Sequence, residues 1–229
     1  MNLLVLFFKI NNKNGVLKGS VLFLSVCIVL FCSTFGYAFE GRVKHVIDGD
    51  TFVLWNNKTV RIASVDTPEI GYEGHSDQYY AREAKEILTK LILGKSVQIE
   101  YTPDHKDHYN RIVGWVYVNG IFVNEYLVKN GAAFFYYHKN NQEKYQNILL
   151  EAQRKAYEDK SGFWPVIQRV KEFNSNWIGN SRSQRCFPEG NKYALRTAKR
   201  NRIYFSNLGK AFLEGYSPAR NINFWPEVK

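Results

Sequence analysis

The chain has three cysteines in 229 residues, and two of them, Cys27 and Cys32, precede residue 39. Once that leading stretch is removed, Cys186 stands alone and no intrachain disulfide can form. A disulfide-stapled scaffold is thereby excluded. The sequence also has no internal repeat and no low-complexity tract, which removes solenoids and biased linkers from consideration. Long apolar runs are missing as well. The stretch Val21 to Phe31 is shorter than the ~20 apolar residues a spanning helix needs. Acids are scarce at both ends of the chain. Residues 1–38 hold Lys9, Lys13 and Lys18 with no Asp or Glu, and residues 170–229 hold eleven bases against four acids. The block 39–169 holds seventeen of each, so the formal charge of +10 lies outside it. A basic tail of this kind implies a polyanionic partner.

What is present at the N-terminus reads as an export signal. Lysines precede an apolar run, and small residues lead to Gly36-Tyr37-Ala38, suited to cleavage after Ala38. If the segment stays uncleaved, it anchors the protein to a membrane from about Val16. Export without disulfides fits a bacterial secreted or periplasmic protein. With 45% hydrophobic and 16% aromatic residues, the remainder has ample material for a core. The expected organisation is a signal peptide at 1–38, a domain at 39–169 and a basic extension at 170–229.

From Phe39 onward short β-branched blocks dominate: Val43 to Ile47, Thr51 to Trp55 and Thr59 to Val65. Asn56-Asn57 and Asp48-Gly49 are hairpin-type connections, and Asn119-Gly120 is the strongest such signal. Val97, Ile99 and Tyr101 alternate as a fourth strand, the polar stretch Thr102 to Asn110 reads as a loop, and Arg111 to Val118 as a fifth strand. A helix capped by Ser76 and closed by Gly94 is expected before the fourth strand. Further helices are expected at Val123 to Asn130 and Gln142 to Tyr157, with a brief strand at Ala133 to Tyr137. Strand count and inserted helix predict a mainly β protein with helices, a small closed β-barrel of the oligonucleotide-binding type. The small C-terminal extension follows it, entered through Asn174 to Arg185, whose Asn, Ser and Arg read as linker-like.

The chemistry gathers between Val46 and Glu69. Asp48 and Asp50 sit before one strand, Arg61 opens another, and Asp66-Thr67-Pro68-Glu69 follows where it stops. Acids crowded against β-branched strands are poor sheet material. Their mutual repulsion needs a neutralising cation, so the pattern points to a metal ion beside a phosphate. It is not an EF-hand, because the carboxylate spacing and closing Glu are wrong. Asp104, His105, Asp107 and His108 read either as a transition-metal cluster or as a polar loop.

Asp48-Gly49-Asp50-Thr51, Arg61 through Glu69, Tyr109-Asn110-Arg111, Phe122-Val123-Asn124-Glu125 and Gly162-Phe163-Trp164 together resemble the staphylococcal-nuclease (thermonuclease-like) family over about Gly41 to Pro165. That resemblance implies an OB-fold phosphodiesterase dependent on Ca²⁺, acting on DNA and RNA with little sequence specificity and leaving 3′-phosphate ends. It implies Asp50, Asp66 and the Thr67 carbonyl as calcium ligands, with Asp48 behind them. It implies Glu69 as general base and Arg61 and Arg111 as phosphate-binding catalytic residues, with Tyr109 and Tyr137 touching substrate. The protein is expected to act as a monomer with no protein partner. A non-catalytic nucleic-acid-binding barrel is the alternative; such barrels lose the acids or arginines, all of which stand here. The family's usual Lys-Tyr-Gly-Arg is His108-Tyr109-Asn110-Arg111 in this chain.

In the extension, Asn201 to Asn207 and Gly215 to Arg220 resemble the zinc module of Ada-type DNA-repair proteins. That module needs four cysteines and only Cys186 is present, so zinc is not expected. The functional alternative is a basic, aromatic strip that holds nucleic acid by phosphate charge.

Overall fold

A computed structural model describes residues 38–71 and 74–226. The export-signal reading of residues 1–38 lies outside the described residues, Ala38 excepted. The strand β1 (Ala38–Val46) organises the barrel. It pairs antiparallel with β2 (Thr51–Leu54) on one side and with β5 (Ser96–Lys106) on the other. The ladder continues from β2 to β3 (Thr59–Ile62), and from β5 to β6 (Ile112–Val118) and β7 (Ile121–Phe122). β3 then returns to lie parallel to β6, with Arg61 opposite Val113, and this pairing closes a five-stranded barrel. Closure pairs both sides of the five barrel strands and leaves the two-residue β7 at an edge.

Alternation explains the β5 strand, where Val97 and Ile99 are buried and Ser96 and Gln98 are exposed. With Val43, Phe52, Leu54, Val60, Ile62 and Trp115 they fill the barrel interior. Each fully buried side chain of this size is worth roughly 1.5–3 kcal/mol of transfer free energy. The helix α1 (Ala81–Ile92) buries Ala81, Ala84, Leu88 and Ile92, one stripe at helical spacing. Two further helices, α2 (Val123–Lys129) and α3 (Glu143–Glu158), pack on one another.

Several boundaries differ from expectation. The run from Thr59 is broken after Ile62 by Ser64 at φ 53°, and β4 (Val65–Asp66) leaves the barrel to pair with β8 (Phe134–Phe135). That break is what turns Asp66 away from the sheet. The first helix begins at Ala81 and not near Ser76, with Tyr80 left-handed at φ 72° and no side-chain cap. β5 runs on to Lys106, so the expected loop from Thr102 shrinks to a turn at Asp107–Asn110. Two of the three hairpin signals carry left-handed residues, Asn57 at φ 61° and Asn119 and Gly120 at φ 49° and 78°, whereas neither Asp48 nor Gly49 does.

The extension is folded. The segment expected to be linker-like carries β9 (Trp177–Asn180), which forms a four-stranded sheet with β10 (Arg185–Pro188), β11 (Arg202–Phe205) and β12 (Ser217–Pro218). Between the strands lie α5 (Lys192–Arg196) and α6 (Leu208–Leu213). Phe163 and Trp164, at the start of the short α4 (Trp164–Ile167), lie outside the barrel core. They share a second one with Phe134, Phe173, Trp177 and Phe212. Two hydrogen bonds fasten α6 to α3: Gln153 Nε2 donates to the Phe212 carbonyl at 2.6 Å and Arg154 Nε to that of Leu213 at 2.8 Å. Cys186 is buried in this core, and burial pushes its thiol pKa well up, so it is chemically quiet. Among the described residues no helix is long and apolar enough to cross a membrane.

Candidate active site

The site is built where three chain reversals meet at one end of the barrel. Asp48-Gly49-Asp50 lies between β1 and β2, and the Asp50 backbone N–H donates to Asp48 Oδ1 at 3.0 Å. The turn is pressed against its neighbours. A Cβ at Gly49 would stand 2.8 Å from Thr67 Oγ1 and 2.9 Å from the Ala84 Cβ, so only glycine lets Asp50 approach Thr67 this closely. The Thr67 hydroxyl donates to Asp50 Oδ2 at 3.2 Å and the Thr51 hydroxyl to Oδ1 at 2.9 Å.

Arg61 is buried on β3 between two acids. Its Nη2 donates to Asp66 Oδ1 at 2.6 Å, and its Nη1 is ion-paired with Asp50 Oδ2. That Nη1 contact with Asp50 is charge pairing without the alignment of a hydrogen bond. The strand beneath is fixed by Asn124 on α2, fully buried, whose Nδ2 donates to the Ala63 carbonyl at 2.8 Å and whose Oδ1 accepts from Val116 N at 2.9 Å.

Four carboxylates surround this single guanidinium, and their ionisation reflects it. Burial, with repulsion from Asp50, pushes Asp48 up to about 6. Glu69 is exposed at the rim, yet the protein bulk around it strips hydration. Together with repulsion from Asp50, Asp66 and Asp48, this raises it to about 7. An ion pair alone would lower Asp66; burial and Asp50 outweigh Arg61, and Asp66 is raised. Arg61 is held more firmly protonated, because the surrounding acids overcome the burial that opposes its charge.

Arg111, at the turn before β6, faces Arg61 across a cleft of about 520 Å³. Its Nε donates to Asp107 Oδ2 at 2.7 Å, and Asp107 Oδ1 accepts its backbone N–H at 3.0 Å. Burial works against the Asp107 carboxylate, but these bonds outweigh it and hold the group below its usual range. Asn110, where glycine is usual in the resembled family, takes the left-handed conformation at φ 63° that the turn requires. Tyr109 is 67% exposed and lines a second hollow with Lys58, Tyr101 and His105, where its ring lies 5.2 Å from the Arg111 guanidinium.

Asp50, Arg61, Asp66, Thr67 and Glu69 are thus brought together, with Asp48 behind Asp50 and Arg111 across the cleft. Tyr137 is not in that cleft. Past the end of β8 the chain turns it to a separate depression beside Lys139 and Leu150, and its neighbour Tyr136 lines the cleft in its place. Arg220 and Arg185 were missed as well. The run Gly215 to Arg220 stood out as a motif, but nothing local said that it reaches the barrel. In the Asp104 to His108 segment the carboxylates are already engaged, Asp104 by the Asn140 amide at 3.0 and 3.1 Å and Asp107 by Arg111, which argues against a transition-metal cluster there. The donors available are the oxygens of Asp50 and Asp66 with those of Thr67. A surplus of buried carboxylates over guanidinium groups suits a hard divalent cation bound by oxygen.

The model of the staphylococcal nuclease homologue family matches residues 59–166. The chain is 32% identical over 126 residues to a thermonuclease of Staphylococcus hyicus, covering 54% of this chain and 74% of that protein. It is 33% identical over 129 residues to an uncharacterized endonuclease of Escherichia coli, covering 55% and 76% respectively. Similarity to endonuclease YhcR of Bacillus subtilis strain 168 is 30% over 202 residues, 78% of this chain and 16% of that protein. The family match begins at Thr59, beyond Asp48 and Asp50, and it is the barrel that carries those two acids to Arg61.

Proposed function

This chain belongs to the staphylococcal nuclease family, and from that premise we propose that it is an exported, Ca²⁺-dependent nuclease that hydrolyses DNA and RNA. The observation that carries the reading is one buried guanidinium, Arg61, set between two buried carboxylates at the head of a cleft shared with Arg111. Asp50, Asp66 and the Thr67 carbonyl would hold the ion, with Asp48 orienting Asp50. When bound, the cation offsets the repulsion among these acids and part of the negative charge on the phosphate.

The chain's own residues do the rest. Arg61 and Arg111 fork onto non-bridging phosphate oxygens and strengthen their hold as charge accumulates there. Glu69 accepts a proton from the attacking water, whose oxygen bonds to phosphorus in line with the departing 5′-oxygen. The P–O5′ bond breaks, the leaving oxygen takes a proton from solvent, and 3′-phosphate and 5′-hydroxyl ends result. Because the grip is on the shared backbone, sequence and sugar specificity are low. Export rests on residues 1–38, and intact mass of the mature protein tests it.

The test of the reaction is end-group analysis of a labelled oligonucleotide digested by the purified protein. Ends that resist a polymerase until a 3′-phosphatase is added support the proposal. Ends that are extended directly would overturn it.

A further inference from the structure

We propose that the C-terminal extension supplies a third phosphate-binding arginine, Arg220, so that the substrate site is shared between the barrel and the extension. The proposal rests on the nuclease reading and deepens it. β12 runs parallel to β10, with Ser217 opposite Arg185, and delivers Ala219 and Arg220 to the site. Arg220 lines the same cleft as Arg61 and Arg111, and its Nη2 lies 3.5 Å from Asp66 Oδ1, the oxygen that Arg61 holds at 2.6 Å.

Two arginines of the extension flank the Tyr136 ring, and they are bound differently. Arg185 lies 3.3 Å from the ring centroid, and its donors are used: Nη2 reaches the Tyr137 carbonyl at 2.6 Å and Nη1 the Ser217 hydroxyl at 2.9 Å. It is a pedestal that locks β10 and β12 onto the barrel. Arg220 lies 5.2 Å from the same ring, is 49% exposed, and makes no side-chain hydrogen bond among the described residues. A half-exposed pair at that separation contributes little to stability. A guanidinium steered by an aromatic face, with its donors unspent, is arranged to receive an anion. The anion that enters a cleft already lined by Arg61 and Arg111 is a phosphate of the polynucleotide backbone. On the other side of Arg220, residues Pro218 to Trp225 wall the hollow that holds Glu69. The extension therefore borders both the phosphate and the base.

The test uses the full chain and its R220A and R220K variants on a fluorescein-labelled single-stranded oligonucleotide with Ca²⁺, across a series of salt concentrations. R220A is expected to raise KM about tenfold, the scale of one lost charge-assisted hydrogen bond, with kcat changed less than about threefold. The slope of log(kcat/KM) against log salt should fall by about 0.7, one phosphate contact on a single strand. R220K should restore the slope, since the charge returns, but only part of KM, since the fork does not. Melting temperatures should agree among all three proteins. An R220A protein with wild-type KM and salt slope overturns the proposal. So does one that needs less Ca²⁺ with an unaltered slope, which would make Arg220 a cap on Asp66. If the wild type cleaves nothing, the nuclease reading itself has failed. The same salt series, read by anisotropy of oligonucleotide binding, then decides the role of Arg220.

Discussion

At the scale of single residues, the proposed site separates groups that hold from the one group assigned to react. Arg61 and Asp50 are buried and fully engaged, whereas Glu69 stands at the rim with its carboxyl raised to about 7. Glu69→Gln should therefore lose about 10²–10⁴-fold in kcat, the usual worth of a positioned base, while oligonucleotide binding persists. The base must be ionised to accept a proton, so activity should fall as pH drops below about 7 when the cation is scarce. Ca²⁺ held there as proposed would add positive charge nearby and lower that pKa. The acidic limb of the pH–rate profile should move to lower pH as Ca²⁺ is raised, and a limb that stays fixed would deny the coupling. Arg111→Lys keeps the charge but loses the planar fork and the bond from Nε to Asp107, so its kcat/KM should stay well below wild type. The gathering of Asp48, Asp50, Asp66 and Glu69 about Arg61 was legible in the sequence, because like charges crowded at strand ends need a shared counter-charge. Tyr136 was not distinguished from Tyr137, because both lie past the strand Phe134–Phe135, where no local periodicity says which ring faces the cleft.

At the scale of elements, the geometry depends on where strands stop. β3 ends at Ile62 and the left-handed Ser64 sends β4 out of the barrel, which places Asp66 beside Arg61. Asn124 holds this junction with two buried hydrogen bonds, one to Ala63 and one from Val116. Asn124→Ala should cost about 2 kcal/mol or more, since it leaves a carbonyl and an N–H unsatisfied, measurable by urea denaturation. It should also lower activity through the displaced β3. The strands with clear alternation and the Asn119-Gly120 hairpin were readable, because local sequence decides them. The break at Ser64 was hidden inside Thr59 to Val65, a stretch that reads as one strand. It is made by contacts from far along the chain, the Asn141 side chain donating to Ser64 Oγ at 2.7 Å and the Tyr136 N–H to its carbonyl at 2.9 Å.

At the scale of the whole molecule, the described residues carry two cores that share one polar seam. The polar composition of Asn174 to Arg185 read as a linker because its partners, Trp164, Phe212 and Trp225, are spread over sixty residues of sequence. Removing everything after Arg169 would uncover Phe163, Trp164 and Phe134, so that truncation should yield an aggregating or unfolded protein, seen by light scattering. The acid cluster makes the cation-free fold pH-sensitive. Asp48 and Glu69 have folded pKa values of about 6 and about 7. These stand above the roughly 4 of an unfolded chain. Their contribution to stability is thus fully present below about pH 4 and is lost as pH rises through 6 to 7. The cation-free protein should melt higher at pH 5 than at pH 8, and Ca²⁺ should raise the melting temperature most at pH 8. The central claim, that Asp50 and Asp66 hold a divalent ion beside a phosphate gripped by arginines, is tested most directly by hydrolysis of single-stranded DNA in Ca²⁺ and in EDTA, with Asp50→Asn alongside. Cleavage in Ca²⁺ that disappears in EDTA and in the variant is the outcome expected; equal cleavage under all three conditions would contradict it.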